Sequence, residues 1–373
     1  MRSRKPGAPA PQPSRRPVLV TGGCGFIGTN VAHRLLNEGH RVIVFDNLSR
    51  AGVTRNLEWL TAMHGSSLEV EIGDVRDAAH LARVMPHVGH VFHFAAQVAV
   101  TTSLADPIED FEINARGTVN VLEAIRAQSA PPSLLFTSTN KVYGDLQRLP
   151  LVQAGRRHQP ADGNFAGVGE TMPLDFHSPY GCSKGTADQY VVDYARSYGL
   201  RAAVFRMSCI YGPHQFGNED QGWVAHFLIR ALEGKRITLY GDGRQVRDIL
   251  FVEDLVDAFL AAWSSIDTIR GEAFNIGGGP ENTVSLVELL DLIASLSGAR
   301  VHVELDDWRV GDQRYYVSDT RRFTAACGWA PRVGVREGVE ALYRWLRQSS
   351  DVVVETPAMV APPRAPGEEV RLS

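Results

Sequence analysis

From residue 17 onward, short apolar runs alternate with stretches of helical period. PVLV (17–20) stops at a group of glycines. TNVAHRLLNEGH follows, with Val31, Leu35 and Leu36 on one helical face and Gly39 at its end. RVIVFD, SLEVEIGDVRD, HVFHFAAQVAV and SLLFTSTNKVYGD are further strand signals, separated by helical segments such as GTVNVLEAIRAQ. Pro179 opens another helix, which runs to Gly199, and AVFRM reads as a strand beyond it. Short apolar strands alternating with helices predict a doubly wound parallel sheet, whose ligand crevice lies at the carboxyl ends of the strands.

The first strand runs into TGGCGFIG. Gly23, Gly25 and Gly28 fit G-x-G-x-x-G, and Gly22, Gly25 and Gly28 fit G-x-x-G-x-x-G equally well. With Phe26 and Ile27 opening the helix, such a loop lets backbone approach a pyrophosphate at a helix N-terminus. The second strand ends at Asp46, followed by Asn47, 18 residues beyond Gly28. A carboxylate there accepts ribose hydroxyls and repels a 2′-phosphate, which favours NAD over NADP, although Arg50 and Arg55 nearby weaken the preference. Later strand ends are expected to continue the cofactor groove: Asp74 and Val75 near adenine, and Ala95, Ala96 and Gln97 along the dinucleotide. The fold class is therefore α/β: a Rossmann-type doubly wound parallel sheet over 17–211, also receiving strands from 246–277. A smaller C-terminal α/β domain for substrate is expected mostly over 212–347.

Composition removes several alternatives. The 373 residues carry 38 basic and 42 acidic side chains, a net charge of −4, so no basic field calls for nucleic acid. No apolar run approaches the roughly 18 residues of a membrane span. Cys24, Cys182, Cys209 and Cys327 are scattered without CxxC spacing, pointing to a reduced, cytoplasmic setting and to no metal. Residues 1–16 are basic and Pro-rich and, like the tail 348–373, are expected to be disordered. The apolar run after Arg15-Arg16 is too short for an export signal.

HSPYGCSK places Tyr180 and Lys184 four apart, on one helical face. A phenol is a poor base near neutral pH, and an adjacent ammonium favours its ionised form. The pair can move a proton from an alcohol while a hydride leaves its carbon.

With T-G-G-x-G-F-I-G, T-N-K-V-Y-G-D and Y-x-x-x-K, the chain resembles the extended short-chain dehydrogenase/reductases over about 17–347. That family acts on nucleotide sugars. The resemblance implies a triad of Thr139, Tyr180 and Lys184, with Ser208 near the nicotinamide, Tyr143 structural, and a homodimer or homotetramer. Family dehydratases carry Asp and Glu after the Thr. Here Asn140 and Lys141 stand there, and neither titrates as a carboxylate, so dehydration is disfavoured. The strings DQGWVAHF, GDGRQVRDILFVEDL, FNIGGGPENTVSL and DWRVGDQRYYVSD narrow the resemblance to the CDP-paratose 2-epimerase group. This implies inversion at C2 of a CDP-deoxyhexose by transient oxidation and hydride return; a nucleotide-sugar 4-epimerase or an oxidoreductase is the alternative. Arg247 and Arg314, with Arg309 as a weaker candidate, are the expected pyrophosphate partners. Gln215, Asn218 and Gln221 are expected to read base or sugar, and Thr101, Thr102 and Asn140 to line the sugar. The insertion 146–170 is expected to be a loop near the sugar.

Overall fold

The computed structural model describes residues 16–298, 301–309 and 311–349. Most of both ends expected to be disordered, 1–15 and 350–373, lies outside the described residues. Arg16 itself is anchored, its guanidinium donating to the Ala130 carbonyl, and the last helix continues to Gln348.

Seven strands form the central sheet: β1 (Val18–Thr21), β2 (Val42–Asp46), β3 (Leu68–Ile72), β4 (His90–His93), β5 (Ser133–Thr139), β6 (Ala202–Met207) and β7 (Ala273–Ile276). Their order is β7-β6-β5-β4-β1-β2-β3, and every pairing is parallel. The order reverses between β1 and β4, where a ligand crevice opens at the strand carboxyl ends. Because helices cover both faces, successive side chains go to two separate cores. Val18 and Val20 pack with Leu35, Phe92, Phe205 and Phe259 on one face. Leu19 packs with Val91, Leu122, Val191 and Val204 on the other. Fully burying one such side chain is worth about 1.5–3 kcal/mol. The edge strand β3 exposes Glu69 and leaves Glu71 half-buried, charges that discourage further pairing.

The segment 246–277 divides between sheets. Ala273–Ile276 joins the central sheet, whereas Val246–Phe251 pairs with Cys209–Tyr211, Thr283–Ser285 and Tyr315–Tyr316 in a mixed sheet. Ile237–Tyr240 and Val303–Asp306 form a further parallel pair. These strands and the helices Trp223–Leu232, Leu286–Ser297 and Val335–Gln348 enclose a third core around Tyr211, Phe227, Leu289 and Leu342.

The insertion 146–170 is not simply a loop. Leu151–Ala154 and Arg157–Pro160 pair as an antiparallel hairpin across the two-residue turn Gly155–Arg156. Arg157 binds Glu288 and Thr283, Arg156 pairs with Asp291, and His158 lies 2.9 Å from Asp242. Charges distant in sequence therefore pin the hairpin against the C-terminal sheet and its helix. Among the described residues no helix is long and apolar enough to cross a membrane.

His93 shows how polar groups inside the sheet are held. It is fully buried on β4, with Nδ1 2.7 Å from Thr21 Oγ1 and Nε2 3.1 Å from Thr118 Oγ1. The Thr118 hydroxyl donates to the Asn114 carbonyl, so it accepts from His93 and fixes the Nε2–H tautomer. Burial, with the Lys184 charge adding to it, pushes the imidazole down to about 3. His90, stacked on Trp263, is pushed well below its ordinary value in the same way. The unfolded chain then binds protons between about pH 6.5 and 3 that the folded chain does not. Stability should fall as pH drops through that window, by at most about 1.4 kcal/mol per pH unit for each histidine. Denaturant titrations between neutral and acid pH test this: His93→Gln should lose stability less steeply on acidification, and an unchanged slope would contradict it.

Candidate active site

The glycine loop lies between β1 and the helix Phe26–Asn37. A Cβ on Gly28 would stand 2.3 Å from the Gly22 carbonyl oxygen, and one on Gly22 would stand 2.7 Å from the Ala95 backbone nitrogen. Only bare backbone fits there, and Gly22 also holds φ at +66°. Thus Gly22, Gly25, Phe26, Ile27 and Gly28 form a tight loop, with Ala95 against it from the end of β4. Asp46, at the end of β2, accepts from the Cys24 amide at 3.0 Å and the Leu48 amide at 2.9 Å. Burial pushes its carboxyl up against those hydrogen bonds. Each oxygen keeps acceptor capacity beyond its one backbone donor, so the loop and Asp46 fit a pyrophosphate and a ribose diol.

Beyond them, the Asn47 amide donates to Asp74 at 2.9 Å. Asp74 is clasped by Arg76, which pulls its carboxyl down to about 2. Val75 is buried, and its carbonyl accepts from Asn120. Ala96 leads to Gln97, whose side chain turns inward to Asp110 at 2.7 Å and to the Ala99 carbonyl.

The reactive groups converge from β5 and the helix Ser178–Ser197. Thr139 ends β5, and its hydroxyl caps the turn Asn140–Tyr143 by accepting from the Lys141 amide. The Tyr180 phenol is buried, with the Thr139 side chain close enough to act on it. Burial pushes this phenol up to about 12. Thr139 and the Arg50 guanidinium oppose that rise, where the sequence pointed to Lys184 as the opposing cation. Lys184 lies one turn further on, its ammonium 4.3 Å from the centre of the Phe136 ring. Burial lowers it to about 7, against the charges of Asp110 and Asp188.

Asn140 donates to Gln313 at 3.1 Å, and Gln313 donates to the Gly144 carbonyl. Lys141 donates to the Gly311 carbonyl at 3.2 Å. The turn after Thr139 is thus stitched to a loop far along the chain. Tyr143 lies in the interior, donating to Asn275 and accepting from Arg206.

The remaining expected residues are more dispersed. Ser208 binds buried Asp248 through its hydroxyl. Arg247 is buried and paired with Asp312 at 2.7 Å. Arg309 lies 3.8 Å over the Tyr240 ring beside Glu219 and Asp220, and exposed Arg314 stacks over Trp308. Gln215 is buried and donates to the Ile210 carbonyl, while Asn218 and Gln221 close one turn. The Gln221 side-chain oxygen accepts from Arg50, joining that turn to the Asp46 side of the cleft. Thr101 and Thr102 are exposed on their helix; their neighbour Ser103 instead reaches the site, accepting from the Tyr180 amide at 3.1 Å.

The residues that motif spacing missed are Ser103, Asp110, Asn114, Ser183 and Gln313. Asn114 lies in a π-helical turn, Glu112–Arg116, and donates to Asp110, Ser183 and the Gln97 carbonyl. Such turns often occur at functional sites, but no short string announces one.

The NAD dependent epimerase/dehydratase family model matches residues 18–277. CDP-paratose 2-epimerase of Salmonella typhi is 44% identical over 335 residues, covering 88% of this chain and 98% of that protein. UDP-glucose 4-epimerase of Thermotoga maritima, solved with UDP-glucose, superposes with a TM-score of 0.77 at 31% identity, over 89% of this chain and 99% of that one. A dTDP-glucose 4,6-dehydratase of Streptomyces venezuelae, solved with NAD, gives 0.77 at 30% identity, over 90% and 98%. With the family model matching most of its length and a relative 44% identical over 88% of it, the chain belongs to the NAD-dependent epimerase/dehydratase family.

Proposed function

We propose that the protein inverts C2 of a CDP-deoxyhexose of the paratose/tyvelose type by transient oxidation to a keto sugar. The observation that carries this reading is the turn after Thr139. Asn140 and Lys141, bound into the Gly311–Gln313 loop, stand where a water-eliminating relative needs a carboxyl acid and base. Proton movement at a single alcohol by Tyr180 is then the supported chemistry. The 44% identity to a CDP-paratose 2-epimerase supports C2 and the CDP group.

When bound, NAD supplies the hydride acceptor and, once reduced, the hydride donor. The residues that would hold it are the glycine loop with Gly22, Gly25 and Gly28, then Asp46, Asn47, Asp74, Val75 and Ala95 to Gln97, with Tyr180, Lys184 and Ser208 beside the reacting end. Tyr180 takes the C2 hydroxyl proton as the carbinol carbon is oxidised and returns it after the sugar presents its other face. Thr139 fixes the reacting oxygen by hydrogen bonding, the Arg50 guanidinium favours the phenolate, and Lys184 lies one turn along the same helix. Arg247, Arg309 and Arg314 grip the diphosphate; Gln215, Asn218 and Gln221 read the nucleotide or sugar; Asn140 lines the sugar. Held through its nucleotide, the keto sugar stays bound while it reorients.

Product analysis by NMR across CDP-, UDP- and dTDP-sugars, on protein carrying NAD, tests the proposal. C2 inversion of the CDP-deoxyhexose is expected without added cofactor, and with no deuterium at C2 in deuterated water. Inversion with stoichiometric solvent deuterium at C2 would falsify hydride return. A product inverted at C4 would make the protein a 4-epimerase, and accumulating NADH an oxidoreductase.

A further inference from the structure

The loop 213–221 carries Gln215, Asn218 and Gln221, and it is tied to the cofactor half of the cleft along its length. Asn30, on the helix that follows the glycine loop, donates to the Pro213 carbonyl at 3.0 Å. Asn56, in the helix Val53–His64, donates to the His214 carbonyl at 3.3 Å. The Phe216 ring lies directly against Gly52, where a Cβ would stand 2.4 Å from a ring carbon. Arg50 donates to the Gln221 side chain. Arg50, Gly52 and Asn56 all belong to the stretch that follows Asp46 and Asn47.

Asn56 does more than tie the loop down. It is 2% exposed, and the same side-chain amide also donates to the Cys24 carbonyl at 3.0 Å. Cys24 lies within the glycine loop, and its own amide donates to Asp46. Two carbonyls from distant segments thus share one buried side chain. One belongs to the loop that fits a pyrophosphate, the other to the loop expected to read the sugar nucleotide. The His214 backbone that Asn56 holds is left-handed, with φ at +68°, in a residue that carries a Cβ. Such a conformation persists only where its surroundings impose it. Here Asn56 fixes the carbonyl, Asn30 fixes the residue before, and the Trp59 and Trp345 rings lie 4.1 and 5.2 Å from the imidazole.

We propose that Asn56 is a positioning residue that couples the two ligand sites, so that NAD against the glycine loop and a nucleotide against 213–221 hold each other in place. A ligand that orders the glycine loop fixes the Cys24 carbonyl, and through Asn56 it fixes His214 and the residues after it. The coupling is reciprocal: whatever one ligand gains from the other, the other gains in return. A cofactor reduced and reoxidised within one turnover must stay bound between the two hydride steps, and the bridge serves that need. This rests on the reading of the glycine loop as the NAD site and of 213–221 as part of the nucleotide-sugar site.

NAD release from the NAD-loaded full-length protein tests it, measured by exchange against isotope-labelled NAD with and without CDP, UDP or dTDP. Asn56→Leu keeps the side-chain size and removes both donations. It should speed release about fivefold or more, and a nucleotide that slows release from the wild type should lose that effect in the variant. Phe216→Ala loosens the same loop at its contact with Gly52, so the effects of the two substitutions should fall short of adding in the double variant. Unchanged release in Asn56→Leu overturns the proposal. So does a nucleotide that slows release equally in both proteins, and so do strictly additive effects. If Asn56→Leu does not fold, Asn56→Ser, with a single donor that cannot serve both carbonyls, is read by the same criteria. If none of the three nucleotides binds the wild type, the reading of 213–221 as a nucleotide site fails, and the release rates of the single and double variants still decide the bridge.

Discussion

Replacing Tyr180 with phenylalanine should reduce turnover by about 10³-fold or more while NAD remains bound. The substitution deletes one oxygen from a ring that is otherwise packed in place, with its amide held by Ser103. That oxygen lies within the influence of the Thr139 side chain. Burial makes the phenol reluctant to ionise, so the reaction depends on local positive charge, and no neighbouring side chain can replace the hydroxyl. Lys141 is held by the Gly311 carbonyl, and His93 is sealed beneath the sheet. The check is steady-state product formation by NMR beside the NAD released on unfolding. A Phe variant retaining more than about a tenth of wild-type turnover would remove Tyr180 from proton transfer. Loss of NAD together with activity would instead indicate a structural role.

The second large effect concerns stability. Asp188 is fully buried and Arg206 is 5% exposed, and their two hydrogen bonds join the Tyr180 helix to β6. Arg206 also donates to the Tyr143 hydroxyl, which donates to Asn275, which in turn donates to the Val168 carbonyl. The pair thus anchors the catalytic helix, the turn after Thr139 and the segment following the hairpin. Asp188→Asn removes one charge and strands the other in the interior, with an expected loss of about 3–5 kcal/mol. Burying an ion pair has its own desolvation cost, so Asp188→Leu/Arg206→Met should be more stable than Asp188→Asn. Urea unfolding of the three proteins measures both effects. A loss below about 1 kcal/mol in Asp188→Asn would show that water or another group already compensates Arg206.

The parts readable from sequence were those whose cause is local. The apolar runs of β1, β2, β4 and β5 follow from strands buried on both faces, and the Tyr180 helix from Pro179 and its spacing. The glycine loop was readable because chain reversal and close packing demand glycine within a few residues. Asp46 followed from its distance to that loop. The four-residue spacing of Tyr180 and Lys184 predicts a shared face in any helix. The hairpin was missed because its strands are short and polar; it is fixed by Arg157, Arg156 and His158 meeting Glu288, Asp291 and Asp242.

The electrostatics of the cleft were not readable in the same way. Arg247 has the right chemistry for a phosphate, yet only the fold pairs it with Asp312, which also lies near Lys141. Asp110 belongs to an unremarkable PIEDF string, and only the packing of three elements puts it among Ser183, Asn114 and Gln97. The sequence by itself therefore determined the alternation of strands and helices, the cofactor loop and the Tyr–Lys spacing, because each depends on bonds and periods within a few residues. The tertiary structure alone decided which charges share a buried space. A group's protonation depends on its desolvation and on partners that can lie a hundred residues away, and neither is a property of its neighbours in the chain.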